Sequence, residues 1–396
     1  MATTENLPRL PFERPGVLGL PPLFSKLQRE QPITLVRTPA GDAGWLVTRY
    51  DDVKALLNDD RLGKAHPDPG RAARYSASAL QGGPIGDPAT EREEYALMRR
   101  LLTPSFAPRR MQAIRPVVER LVDNLLAEMG KQTPPADFEE AVSFPLAILV
   151  ICRLLGVPGG DRAQIRGWAD ATTALYDADA AAAGFASLVG YVDDLIKIKR
   201  EAPAEDVISD LLAASQRNDN LTKGYIATLV AGILFAGHDT TVVRLDYGVA
   251  HLLSHPDLAQ ALRRDPGLAA DATEEVLRVA APARPPTLRW ARNDFEIDSV
   301  RITAGDLVML ATQVANVDAE IFTEPARFDI NREPNPHVTF GYGHHFCLGA
   351  SLARIEMQVL FGALFPRFPT LRLAVPLEQL RVRADNGGLE ALPVTW

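Results

Sequence analysis

Phe340-Gly341-Tyr342-Gly343-His344-His345-Phe346-Cys347-Leu348-Gly349 is the stretch whose reading decides the rest of the chain. It holds Cys347, one of two cysteines, between close glycines. From Leu348 onward, Leu352, Ile355, Val359 and Leu360 recur at helical spacing, interrupted by Arg354 and Glu356. The spacing predicts that Cys347 sits just before a helix N-terminus, where unpaired backbone N–H groups and the helix dipole favour a negative sulfur. Gly341, Gly343 and Gly349 permit tight turns and close approach of the backbone to something flat and large. A thiolate on such a loop is a metal ligand or a nucleophile.

The metal reading prevails. A thiol nucleophile needs a base, and His344 and His345 are too near in sequence for a papain-like arrangement. A zinc site wants three or four Cys/His ligands, and no second cluster occurs. A lone thiolate suits haem iron, whose porphyrin supplies four further ligands. The run Phe340-x-x-Gly343-x-x-x-Cys347-x-Gly349 resembles the haem-binding signature of the cytochromes P-450, the haem-thiolate monooxygenases. The bland alternative is a buried structural cysteine. The resemblance runs from about Ile33 to Trp396 and implies a mainly α, single-domain prism fold with a small β region. It implies haem b and dioxygen as cofactors, with Cys347 on the iron and Phe340, Gly341 and Gly349 beside the haem.

At 396 residues, length alone suggests more than one core, since domains usually run roughly 100–200 residues. No linker or break in composition divides the chain, so residues 1–396 read as one domain behind a proline-rich segment, 1–32. A net charge of −8 argues against a general nucleic-acid binder. Cys152 and Cys347 form no disulfide framework, which favours the cytoplasm. Met1–Pro22 has no apolar core of signal-peptide length, and the runs Phe144–Val157 and Ile226–Gly237 fall short of the ~18 residues a spanning helix needs. The family's membrane-bound members begin with an anchor, so this chain is similar to the soluble bacterial type, and a monomer with no membrane attachment is expected.

Ile33–Thr38 and Trp45–Thr48 read as a hairpin around Pro39–Asp42, followed by a short helix, Asp51–Leu57, and a loop-rich stretch, Arg61–Pro88. Tyr95–Arg100 opens a helix that resembles the family's His-x-x-x-Arg pattern, whose two ends reach haem propionates. Arg99 matches. Tyr95 stands in the histidine position, where a phenol donates one hydrogen bond and carries no positive charge. Phe138–Leu155, Arg162–Tyr176, Gly184–Lys199 and Val207–Ser215 read as helices. Ala178–Ala183 lies where the family places a mobile lid, or else extends a neighbouring helix.

The longest helical pattern runs from near Thr222 to His255. In its middle, Ala236-Gly237-His238-Asp239-Thr240-Thr241 resembles the family's oxygen-binding kink, with Asp239 as acid and Thr240 as alcohol. Gly237 removes a side chain so that something can lie close, and a threonine hydroxyl can bond the carbonyl four residues back. Glu275-Val276-Leu277-Arg278, in a helix starting near Asp271, matches the family's structural Glu-x-x-Arg, which joins a later arginine that matches Arg327. Short strands follow at Arg289–Ile297, Val300–Ile302 and Leu307–Leu310, then an irregular segment, Asn316–Thr339. By resemblance Arg289 and His345 are further propionate contacts, while His344 has no assigned role. Phe235, Ala283, Arg284 and the turn Asn386-Gly387-Gly388 are candidate substrate contacts.

These residues imply a monooxygenase that hydroxylates or epoxidises a small natural product, resembling actinobacterial secondary-metabolism members. The chain has no Gly-x-Gly-x-x-Gly and too few cysteines for an iron–sulfur cluster, so electrons come from a ferredoxin and ferredoxin reductase. Arg100, Arg109 and Arg110 are candidate docking contacts on the thiolate side. Two alternatives stay open: oxidative coupling of an aromatic cyclic dipeptide or peptide, and a haem-thiolate protein that binds a ligand without turnover. The Asp239-Thr240 pair speaks against the second.

Overall fold

The computed structural model describes residues 7–78, 82–172, 174, 177–216, 221–280, 285–384 and 386–396. Ala283 and Arg284 lie outside the described residues, as do 173, 175 and 176 of one expected helix. In chain order the first helices are α1 (Pro22–Glu30), α2 (Tyr50–Leu57), α3 (Glu91–Leu102), α4 (Pro108–Met129), α5 (Phe144–Leu155) and α6 (Arg162–Thr172). Then come α7 (Ala178–Glu201), α8 (Val207–Ser215), α9 (Lys223–Leu253), α10 (Pro256–Arg264), α11 (Ala269–Val279), α12 (Thr312–Ala315) and α13 (Ala350–Arg367).

The helix ends follow from local chemistry. Proline opens α1, α4 and α10, where its fixed φ is already helical and its missing N–H has no partner to lose. Asp177, Asp206 and Thr222 cap α7, α8 and α9 by accepting from the backbone N–H groups of Ala180, Ser209 and Tyr225. The Asp177 cap sets Ala178–Ala183 as the first turns of α7 rather than a separate lid, in keeping with alanine's helix propensity. The expected helix from Phe138 begins with a π-turn, Glu139–Ser143, before α5. Helices α1, α4, α10 and the short α12 carry no signal in the sequence analysis above. In α4 the apolar stripe Met111, Val118, Val122, Leu126 and Met129 is fully buried despite Pro116 inside the helix.

Strands β1 (Ile33–Arg37) and β2 (Ala43–Val47) form the expected hairpin, paired from Ile33↔Val47 to Arg37↔Ala43. They extend through β8 (Leu307–Leu310) and β5 (Thr287–Ala291) to β3 (Leu62–Gly63), in the order β1-β2-β8-β5-β3. Only the β2–β8 pairing in this sheet is parallel. The expected strand Arg289–Ile297 is two, because β6 (Phe295–Ile297) leaves the sheet to pair with β7 (Val300–Ile302). Near the C-terminus, β10 (Pro393–Thr395) lies between β4 (Ala136–Asp137) and β9 (Arg372–Leu373).

The helical core is built around α9, which packs against α5, α6, α7, α8, α10, α11 and α13. Its 31 residues span about 46 Å at the usual rise. It is the one helix among the described residues long and apolar enough to cross a membrane, and over half of that apolar window is buried inside the protein.

Candidate functional site

Gly341 and Gly343 take positive φ values of 77° and 67°, which favour glycine. Gly343–His345 forms a single 3₁₀ turn, and the Cys347 amide donates back to the Phe340 carbonyl at 2.8 Å, closing the loop. Three side chains grip the loop backbone from outside. Asn58 Oδ1 accepts from the His344 amide at 3.0 Å and stands where a Cβ on Gly343 would fall. The Tyr95 hydroxyl donates to the His344 carbonyl at 3.2 Å, and Arg99 Nη1 to the Phe346 carbonyl at 2.7 Å. Both α3 residues therefore hold the loop's main chain. Gly349 has an ordinary φ of −80°, and a Cβ there would lie 3.9 Å from the Cys347 sulfur.

The amides of Gly349 and Ala350, at the start of α13, donate to the Cys347 sulfur. Cys347 is exposed, yet the protein around it pushes the thiol pKa up, with the two amides, Arg99 and Arg354 pulling the other way.

The middle of α9 carries an exposed stripe. Ala236 and Thr240, one turn apart, are exposed although Leu234, His238, Asp239, Thr241 and Val242 are buried. The Thr240 hydroxyl donates to the Ala236 carbonyl at 2.8 Å, the expected back-bond, and the backbone stays α-helical throughout. Gly237 makes room for protein instead: a Cβ there would strike Ile151 at 2.8 Å. Phe235 is half-buried. Asp239 is buried and accepts from Asn386 Nδ2 at 2.5 Å.

Cationic and imidazole groups crowd the flank of the loop. Arg289 is buried and donates to the adjacent Leu288 carbonyl at 2.8 Å. The His345 and Tyr95 ring centroids lie 4.3 Å apart, and Lys64 Nζ lies over the Tyr95 ring, 5.7 Å from its centroid. Burial first, then Arg289, His344, Lys64 and Arg292, lower the His345 pKa to about 3. Its Nδ1 is buried without a hydrogen-bond partner. Glu91 is committed to Arg292 and to the Lys64 and Ala65 amides.

Residues 185–266 and 268–376 match the family model described as cytochrome P450. Pentalenolactone synthase of Streptomyces exfoliatus is 42% identical over 99% of this chain and 100% of that protein. The chain belongs to the cytochrome P450 family. The cytochrome P450 monooxygenase PikC of Streptomyces venezuelae is 38% identical over 95% of this chain and 90% of its own length. The solved structure of the P450 PimD, a polyene macrolide antibiotic pimaricin epoxidase, superposes with a TM-score of 0.88 at 40% identity, covering 99% of this chain and all of that one. The chain is thus an oxidoreductase, a P450 monooxygenase of the kind found in actinobacterial natural-product tailoring, and the family implies haem, dioxygen, a small-molecule substrate and external redox partners.

The residues fit a P450 haem. The cluster of Arg289, Lys64 and the orphaned His345 Nδ1 calls for an anion, as a pair of propionates provides, and the desolvated sulfur calls for a cationic metal. Lys64 and Asn58 escaped the sequence reading because neither belongs to a motif.

One expected contact is corrected. Glu275 does bind Arg278, at 2.7 and 2.8 Å, but the second arginine on it is Arg332, whose Nε lies 3.2–3.3 Å from both carboxylate oxygens. Arg327 contributes its carbonyl, which accepts from Arg278 and Arg332, while its exposed side chain pairs with Glu324. The reason is reach: a residue placed to offer its carbonyl inward turns its side chain out. Glu274 supplies a further tie. It binds His337 and Arg354, and the Arg354 guanidinium lies over the Phe340 ring at 4.7 Å. Among the docking candidates, Arg100 and Arg109 are exposed, whereas Arg110 is paired with Asp210 on α8.

Proposed function

We propose that this P450 binds haem b through Cys347 and oxidises a small natural product, by hydroxylation or epoxidation, with electrons from a ferredoxin and its reductase. The observation that carries this reading is the exposed Cys347 sulfur, set on the amides of Gly349 and Ala350 at the start of α13. Haem bound there supplies the activation of dioxygen. The chain supplies the rest. Arg289, His345 and the gripping pair Tyr95 and Arg99 hold the anionic edge and the loop. Gly341, Gly349 and Phe340 would shape the loop that receives the haem, and the small Ala236 on the exposed stripe of α9 would leave room for it. Thr240 presents a hydroxyl on the exposed face of α9, and Asp239 stands next to it as the acid, so that the two pass protons inward from water. Positioned proton transfer of this kind is typically worth about 10²–10⁴-fold.

The acidic, disulfide-free chain reads as a cytoplasmic monomer, with Arg100 and Arg109 toward the redox partner. The test is reconstitution with a ferredoxin and ferredoxin reductase, using a ligand chosen by its shift of the haem spectrum. Wild type is expected to form product in step with reduced cofactor. Thr240→Ala is expected to keep haem and the ligand shift but divert most reducing equivalents to peroxide. Unchanged product per electron in the variant would contradict the proton-path reading.

A further inference from the structure

Asn386 is a buried residue, 4% exposed, on the turn that precedes β10. Both ends of its amide are engaged. Oδ1 accepts from the Gly388 amide at 2.8 Å, which shapes the turn, and Nδ2 donates to Asp239 Oδ1 at 2.5 Å, across 147 residues of sequence. The turn is seated on α9 at two further points. The Tyr247 hydroxyl donates to the Gly387 carbonyl at 3.0 Å, and a Cβ on Gly388 would stand 3.0 Å from Val243 Cγ2. Asp239, Val243 and Tyr247 are spaced four residues apart and so share one face of α9. The C-terminal turn therefore runs along that face in fixed register.

A side chain used in this way is not offered to a substrate. We infer that Asn386 is a positioning residue for the reaction: it fixes the orientation of the Asp239 carboxylate that serves Thr240. The inference rests on the proton-path reading given above. An amide that donates to a carboxylate restricts its rotation, and a low-dielectric surrounding strengthens that hydrogen bond. The neighbouring His238 feels Asp239 itself, Asp170 and Arg166 on α6, and Arg383 on the C-terminal segment. Arg383 pairs with Glu139, and the neutral amide of Asn386 donates to Asp239 from the turn.

Asn386→Asp in the haem-loaded enzyme isolates the donor, because the variant keeps the oxygen that accepts from Gly388 and changes only the group facing Asp239. Two carboxylates in contact hold one proton between them to higher pH. A carboxyl pKa raised in the folded state costs stability only above its unfolded value. Wild type and variant are therefore expected to melt alike below about pH 4, with the variant falling progressively behind as pH rises toward about 7. Product per reduced cofactor is expected to drop by about threefold or more near pH 7, and its pH profile to move upward by about one unit. Haem content and the ligand-induced spectral shift should be unchanged.

Melting differences that do not vary with pH would overturn the contact. Weakened ligand binding with coupling intact would return Asn386 to substrate contact and overturn the positioning role, as would lost coupling with an unmoved pH profile. Asp239→Asn is the control. If that variant couples as wild type does, the proton-path reading fails and the positioning role with it, while the melting curves still register the contact.

Discussion

Within ten residues the Cys347 loop supplies its own turns, through Gly341 and Gly343, and its own closing hydrogen bond from Cys347 to Phe340. The α9 wall works differently: its exposed stripe of Ala236 and Thr240 is plain helix, and its buried acid is held by a residue 147 positions away. A loop that must present one sulfur at a helix N-terminus needs special backbone angles, so its sequence is constrained locally. A helix that must present an acid and an alcohol needs only the right neighbours, and these come from wherever the fold brings the chain back.

The comparison predicts where damage should spread. Glu275 accepts from Arg278, Arg332, Asn335 and the Asp329 amide in a buried network beneath the loop. Arg332→Ala should destabilise the fold by about 3–5 kcal/mol, because it leaves a buried carboxylate short of a partner. Arg327→Ala, which retains the carbonyl that Arg278 uses, should stay within about 1 kcal/mol. Urea titration of the two variants checks this ordering, and equal losses would restore Arg327 to the network.

A smaller effect is expected at Glu274, which links α11 to the loop through Arg354. Burial alone would raise its pKa, but hydrogen bonds from His337 and Arg354 outweigh that and bring it to about 2. A depressed carboxyl pKa contributes stability above the unfolded value, and that stability is lost as pH falls through the folded one. Between about pH 4.5 and pH 2 the wild type should therefore lose on the order of 1–2 kcal/mol, discounted for partial exposure, that Glu274→Gln does not lose. Melting temperature against pH for the two proteins measures it. Parallel curves would mean that the Glu274–Arg354 tie carries no weight.

The smallest effect belongs to Tyr95. Its hydroxyl reaches the His344 carbonyl on the loop's exposed side, so Tyr95→Phe should cost about 0.5–1.5 kcal/mol and speed haem loss modestly. Haem transfer to an excess of an apo-globin gives the rate. An unchanged rate would reduce Tyr95 to a ring packed on His345.

The same contrast explains what could be read from sequence. The loop, the hairpin β1–β2, α8 and most of α9 were legible because periodicity and glycine spacing are local signals. The Glu275–Arg278 pair was legible for the same reason, being three residues apart in one helix. Arg332 was not, since Arg327 and Arg332 lie in one irregular segment and only the path of the backbone decides which side chain turns inward. Lys64 and Asn58 come to the loop from an earlier part of the chain without motif or period. In α4, Pro116 masked a helix whose stability comes from its buried stripe rather than from propensity. The Gly237 expectation erred in partner rather than in kind: the missing side chain does admit a close neighbour, and that neighbour is Ile151.

The central claim is that Cys347, presented by the loop and the start of α13, is the ligand to haem iron. The absorption spectrum of the reduced, carbon-monoxide-treated protein tests it most directly, with wild type and Cys347→Ser compared at equal protein concentration. The wild type is predicted to give the Soret band of thiolate-ligated haem, and the variant to lose that band, because a neutral hydroxyl is a poor ligand. A thiolate-type band of undiminished strength in Cys347→Ser would contradict the account.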